Sequence, residues 1–259
     1  MGIFSSIKTV DRPVKIVIYL DVGHGNARSA VIEMHGAVPH VLYTISGEHK
    51  IPTEVLAGGL NQRALISLRE VLDETAKTIK QSSNDKFRYA AEEIYCVLAA
   101  PYYLSHTGII TKKWERPFVI TEQTIKHLVQ SGSRNAPLAH DDAELGTKAK
   151  VLHERVIDIS INGYKTTTPI GKSAENLQLS VFRTEVDEEL NSGIIKTIKE
   201  HTSAPAFIEP FSLAAFVTLR NRIHQKDSFL FVTIGNEVSE VTLVKKSVLL
   251  ETVSFPFGK

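Results

Sequence analysis

Residues Ile16 to Glu33 read IVIYLDVGHGNARSAVIE. An apolar run ends at Asp21, a Gly-His-Gly turn follows, and a second apolar run, Ala30 to Ile32, leads out. Two β-prone segments joined by a short glycine-rich connection predict a hairpin. Gly23 and Gly25 can adopt φ > 0, which lets successive backbone N–H groups point into one concavity, and a turn cradles phosphate oxygens in this way. Asp21, at the end of the first strand, is placed to hold a hydrated divalent cation beside such phosphates. An ordinary tight hairpin shows the same residue pattern. A second hairpin of similar make-up, Phe231 to Val244, lies near the far end of the chain and favours the phosphate reading. Two glycine turns can clamp a phosphate chain from opposite sides if each begins a lobe.

The surrounding chain of 259 residues has room for two lobes, or for one large domain with an insertion. Its hydrophobic fraction of 42% and charged fraction of 23% are those of an ordinary globular protein. Lys and Arg number 30 against 29 Asp and Glu, so no global charge draws the chain to nucleic acid or to anionic membrane. No arginine-rich helix or aromatic-studded basic strand is present, and nucleic acid is not expected as a partner. Cys96 is the only cysteine and lies in an apolar run, which excludes an internal disulfide, fits a reducing cytosol and predicts a core thiol. No run approaches the ~20 apolar residues needed to span a bilayer. The expected location is the cytoplasm.

Outward from the first hairpin, Val38 to Ile45 predicts a third strand. A helix over about Gln62 to Lys80 follows from Leu65, Leu68, Val71, Leu72, Thr75 and Ile79 at helical spacing. Ser82 to Lys86 is a polar boundary. The next block reads strand (Ile94 to Ala100), helix (Thr121 to Val129, with Thr121 as N-cap and Gly132 as stop), strand (Val151 to Ile161), turn (Asn162-Gly163) and strand (Tyr164 to Ile170). This is a compact α+β unit suited to insertion in a larger domain. A strand (Leu177 to Thr184), a helix (Asp187 to His201) and a strand (Ala206 to Glu209) then predict a parallel βαβ crossover. A helix over Ser212 to Ile223 and a three-stranded meander from Phe229 to Pro256 complete the chain.

Other chemical signals dissolve on inspection. Gly171-Lys172-Ser173 lacks the first glycine of a P-loop, since that position is Thr166, and it has no strand-to-helix context. His140-Asp141-Asp142 are neighbours on a loop and do not converge as metal ligands without distant partners. No nucleophile elbow and no paired histidine motif occurs.

The order of elements resembles the actin-like ATPase superfamily, specifically its FtsA/PilM-like branch, over nearly the whole chain. LDVGHGNARSAVIE is similar to that family's first phosphate hairpin, and FLFVTIGNEVSEVTLVKKSVLLETVSFPFGK to its second hairpin and following strand. EEIYCVLAAPYY, FVITEQTIKHLVQ and VIDISINGYKTTTPIGKSAENLQLSVF resemble the inserted SHS2 subdomain and the return to the core, and AFIEPFSLAAFVTL a strand-to-helix passage of the family. The resemblance implies an α/β fold: an actin-like (ribonuclease H-like) core carrying an inserted α+β SHS2 subdomain, with the second lobe only begun. On this reading residues 1–85 and 174–225 form subdomain IA, 86–173 the SHS2 subdomain (IC) and 226–259 the start of subdomain IIA. The chain stops before the family's second outer subdomain, its adenosine-binding glycines and the membrane helix of FtsA, so half a nucleotide cleft is expected.

For the site, the resemblance implies ATP and Mg²⁺ held by Asp21, Gly23, His24, Gly25, Asn26, Gly235 and Asn236, with Asp21 toward the metal. The second hairpin departs from the family pattern of Asp-Ile-Gly-Gly-Gly-Thr-Thr-Asp. Thr233 replaces the opening aspartate, and Asn236 and Glu237 replace two glycines. A carboxylate at 237 pointing at a polyphosphate would cost about 4 kcal/mol per charge pair at about 4 Å and an effective dielectric near 20. Weak or lost hydrolysis follows, and no catalytic residue is assigned. The function implied is an FtsA-like division adaptor that self-associates into filaments. It would join an FtsZ-like filament protein to the inner face of the membrane, indirectly or through a segment beyond Lys259. The alternative is a PilM-like pilus-assembly protein that binds a cytoplasmic peptide of a membrane partner. A phosphotransferase such as a sugar kinase is the rival from another class, and it would need an intact second hairpin.

Overall fold

The computed structural model describes residues 14–23, 26–47, 59–81, 91–135, 148–223, 226–235 and 237–258. The first hairpin forms as the alternation predicts: β1 (Val14–Gly23) and β2 (Asn26–His35) pair antiparallel in an unbroken register from Val14 opposite His35 to Gly23 opposite Asn26. β3 (Val38–Ser46) extends β2, and helix α1 (Gly59–Gln81) follows. On one face of β1, Ile18, Leu20 and Val22 pack on Leu68 and Leu72 of α1, while Tyr19 and Asp21 occupy the opposite face. Burying such apolar side chains is worth roughly 1.5–3 kcal/mol each, and this fixes the register of the hairpin.

β4 (Glu93–Leu98) lies parallel to β1, and β9 (Ala206–Pro210) lies parallel to β4. The first sheet therefore runs β3-β2-β1-β4-β9. This corrects the expected domain limits, because the strand of Cys96 belongs to this central sheet and not to an appendage that begins at residue 86. In β4 the alternate residues Ile94, Cys96 and Leu98 face the helices, and parallel neighbours on both edges make it a central strand. Ile94, Cys96 and Leu98 are fully buried beneath α1 and helix α3 (Glu188–His201), and burial pushes the Cys96 thiol up to about 12. The expectation of an inert core cysteine is met.

The second sheet is assembled on two long strands, β5 (Tyr103–Val119) and β8 (Ser173–Asp187), which pair antiparallel. β5 has no counterpart in the sequence reading. Its lysines, Pro117 and Gly108 obscure the alternation, and its pairing with β8 slips between Lys113 and Phe118. β6 (Ala149–Ile161) and the two-residue β7 (Tyr164–Lys165) continue on one side, and β10 (Phe229–Ile234), β11 (Ser239–Lys245) and β12 (Val248–Phe255) on the other. The order is β10-β11-β12-β5-β8-β6-β7. β8 and β9 thus lie in different sheets, and the expected βαβ crossover through α3 does not form. Both edges of β8 are already occupied by β5 and β6, so α3 hands the chain from one sheet to the other.

An appendage with its own core does exist at the distal end of the β5–β8 ribbon. Helix α2 (Glu122–Asn135) lays Ile125, Leu128 and Val129 on Ile120, Ile161, Leu177 and Leu179. Thr121 caps α2, its Oγ1 accepting the Thr124 N–H at 3.1 Å. Gly132 does not end the helix; it lets Ile110 approach so closely that a Cβ would lie 2.3 Å from its Cδ1. Asn162 and Gly163, with φ of 50° and 87°, make the tight turn their sequence predicts. Gly171-Lys172-Ser173 leads into a strand, which removes the P-loop reading. Helix α4 (Phe211–Arg222) joins the two sheets, with Leu213 and Phe216 packed on Phe182, Val244 and Leu249. No helix among the described residues is long and apolar enough to cross a membrane. His140 to Asp142 lie outside the described residues.

Candidate functional site

The turns of the two hairpins open onto one cavity of about 310 Å³. The first hairpin contributes Asp21, Gly23, Asn26 and Arg28; the second contributes Thr233, Gly235, Val238 and Glu240. Ala99, Ala100 and Phe211 form the floor between them. The floor is positioned by the central sheet, where the Ala99 N–H donates to the Val22 carbonyl at 2.9 Å as the chain leaves β4. Four of the expected site residues, Asp21, Gly23, Asn26 and Gly235, therefore share one crevice. His24, Gly25 and Asn236 lie outside the described residues.

Gly235 is required by close approach. Its N–H donates to the Val238 carbonyl at 3.0 Å, and a Cβ at this position would fall 2.7 Å from that same backbone oxygen. Gly23 is less constrained, since a Cβ there would meet the movable Asn26 Oδ1 at 3.1 Å.

Glu237 does not enter the cavity. Its carboxylate pairs with Arg63 of α1 at 3.5 Å, and its side chain lines a neighbouring cleft beside Leu60 and Phe255. The repulsion expected between this carboxylate and a bound polyphosphate is thereby relieved, because the guanidinium holds the acid on the other side of the turn.

Two charged residues of the cavity, Arg28 and Glu240, were not among the expected site residues. Both follow from hairpin register. Asp21 pairs with Arg28 across the first hairpin, and Thr233 pairs with Glu240 across the second. Directly opposed residues share a face of the sheet, with Cβ atoms about 5 Å apart. Counting back from each turn would have placed them. Arg28 brings a planar cation suited to phosphate oxygens. Glu240 is 3% exposed, and its Oε2 accepts the Tyr103 hydroxyl at 2.7 Å. That hydroxyl in turn accepts the Ser212 N–H at the start of α4, at 3.0 Å. Glu240 Oε1 has no hydrogen-bond partner among the described residues.

Burial dominates the electrostatics here. It raises the Asp21 carboxyl, with the Arg28 charge pulling the other way. Burial also pushes Glu240 up to about 7, against the stabilising hydroxyls of Tyr103 and Thr242, and lifts the Tyr103 phenol well above its ordinary value. Among the described residues no three His, Cys, Asp or Glu side chains converge as a ready metal cage. Mg²⁺ does not need one: it is ordinarily held by one or two carboxylates together with phosphate oxygens and water. Two hard carboxyl donors on one cavity, one with an orphaned buried oxygen, fit such an ion.

No protein-family model matches the sequence, and no curated protein sequence does either. Solved structures do match in fold. A PilM-PilN type IV pilus biogenesis complex aligns with a TM-score of 0.55 at 13% identity, over 93% of this chain and 62% of the other. A Bacteroides thetaiotaomicron protein with an actin-like ATPase fold gives 0.45 at 9%, over 95% and 71%, and the Aquifex aeolicus PPX-GPPA enzyme 0.41 at 11%, over 95% and 54%. The chain spans 62% of the length of the pilus protein it matches. The fold is α/β and shares its architecture with the pilus-complex structure.

Proposed function

We propose that this chain is the nucleotide-binding and partner-binding part of a PilM-like actin-fold scaffold that binds ATP with Mg²⁺ and acts through assembly rather than turnover. The observation that carries this reading is the single cavity onto which both glycine turns open. Backbone N–H groups of the turns and the Arg28 guanidinium would bind the phosphates, and Asp21 would face the cation. A bound Mg²⁺ supplies charge neutralisation to the phosphate chain. Thr233 offers a hydroxyl where the family pattern has an aspartate to orient attacking water, so hydrolysis is slow.

In this reading the first sheet with α1 and α3 is subdomain IA, and the distal β5–β8 ribbon with α2, β6 and β7 is the SHS2 subdomain and carries the protein contact. β10 to β12 open subdomain IIA. The fold likeness to a PilM-PilN complex favours a pilus-type partner, a short peptide of a membrane protein. An FtsA-like division adaptor would use the same cleft and differ in its partner, an FtsZ-like filament, and in self-association. Genome neighbours separate the two: pilus genes support the first, division and cell-wall genes the second.

The cleft is tested by calorimetric titration of ATP with Mg²⁺, paired with a phosphate-release assay. One ATP is expected per chain, with binding lost in Asp21→Asn and phosphate release at background level. No binding, or turnover at the rates of about 1 s⁻¹ and above typical of enzymes, would overturn the proposal.

A further inference from the structure

Two apolar surfaces carry nothing that says what covers them: the meander face with Leu230, Val232 and Ile234, and the stacked ladder of Tyr19, Tyr95 and Phe207 on the first sheet. The ion pair of Arg63 and Glu237 is of another kind. Arg63 belongs to the helix layer of the first sheet and Glu237 to the hairpin turn of the second, and they meet at 3.5 Å beside the crevice.

We propose that the Arg63–Glu237 pair is a latch between the two sheets. It fixes the second hairpin turn relative to the first before any ligand arrives, so an ion pair of the chain itself sets the width of the crevice. The inference concerns the chain without ligand and does not depend on what the crevice binds. Both ends of the latch are anchored. α1 is seated under the first hairpin through Leu68 and Leu72, and its first turn is held again where the Asn61 amide donates to the Asp187 carboxylate at 3.0 Å. Glu237 lies two positions after Gly235, in the turn that the Gly235 N–H closes by donating to the Val238 carbonyl. β10 is the outermost strand of the second sheet and pairs with β11 alone. A hairpin with one free edge gains its fixed position from a tether outside the sheet.

Burial decides how firmly the pair holds. The Arg63 side chain is 15% exposed, against 54% for Glu237, and the Arg63 Nε has no hydrogen-bond partner among the described residues. A wholly exposed pair would hold little. Taking the anion away from a mostly buried cation leaves an uncompensated charge, and that penalty keeps the turn in place. α1 supplies no anion of its own near its start, since its first turn has no acidic residue, and a cation there opposes the helix dipole. Glu237 answers both from the other sheet. The family pattern has glycine at this position, so the tether is a property of this chain.

The test is the distance between spin labels at Val41→Cys of β3 and Leu230→Cys of β10, exposed positions on different sheets, read by double electron–electron resonance without nucleotide. Cys96 is buried and stays unlabelled. The labelled parent chain is expected to give one narrow distance. Glu237→Gln and Arg63→Gln, each checked for fold by circular dichroism, are expected to lose it to a broad distribution. Glu200→Gln, which breaks the Arg69–Glu200 pair within the helix layer of the first sheet, should keep the narrow distance. An unchanged distribution in Glu237→Gln, a broad one in the parent, or equal broadening by Glu200→Gln overturns the proposal. ATP with Mg²⁺ is then added to the same samples. In the two latch variants it should restore the narrow distance, with apparent affinity about tenfold lower if about a tenth of the molecules stand closed. Broadened variants with no ATP binding in any sample leave the latch standing and sink the nucleotide reading. ATP binding with distributions that never differ sinks the latch alone.

Discussion

Glu240 is the residue whose chemistry departs furthest from its surroundings. Burial raises its carboxyl from an ordinary 4.5 to about 7. The folded chain therefore holds a proton more tightly than the unfolded chain, and stability falls as pH rises from about 4.5 to about 7, then levels off. That difference is worth on the order of 3 kcal/mol. Glu240→Gln keeps the acceptor for Tyr103 and removes the titration. In EDTA, urea denaturation of the wild type should show lower stability at pH 8 than at pH 5 by about that amount relative to the variant. Parallel pH profiles for the two proteins would show that the carboxyl is not held in a low-polarity setting. Glu237 marks the limit of sequence reasoning at this scale. Its identity predicts repulsion of phosphate, but the partner that turns it aside, Arg63, is 174 positions away along the chain and only the fold brings it near.

Both hairpins were legible as elements because their signals are local: apolar runs of period two and a glycine turn. β10 begins at Phe229, where the sequence starts the meander. β5 was not legible, because a 17-residue strand that spans a core and an appendage buries only part of its length and carries mixed chemistry. The crossover through α3 was misread for a different reason: the sequence shows a strand, a helix and a strand but not which sheet each strand joins. Within the second hairpin, the turn geometry depends on residue 235 having no side chain. Gly235→Ala would drive a Cβ to 2.7 Å from the Val238 carbonyl oxygen, so the turn must open. The expected result is a loss of stability of roughly 1–3 kcal/mol and a drop in ATP affinity on the order of tenfold or more. An alanine variant with wild-type melting temperature and ATP affinity would remove this turn from the site.

At the scale of the whole molecule, the chain is two sheets joined by α3 and α4, with a crevice where their hairpins face one another and a separate small core beneath α2. The fold class was readable from the order of the elements. The limits of the appendage were not, since β4 has the sequence of a buried strand and nothing local says which core buries it. The proposed nucleotide-responsive role requires that one ligand touch both hairpins and so couple their positions. The measurement closest to that claim is a ¹⁵N-resolved nuclear magnetic resonance titration of the chain with ATP and Mg²⁺. The account predicts that the amide signals of Gly23 and Gly235 shift together and saturate with one dissociation constant. Movement of one turn without the other, or of neither, would contradict it.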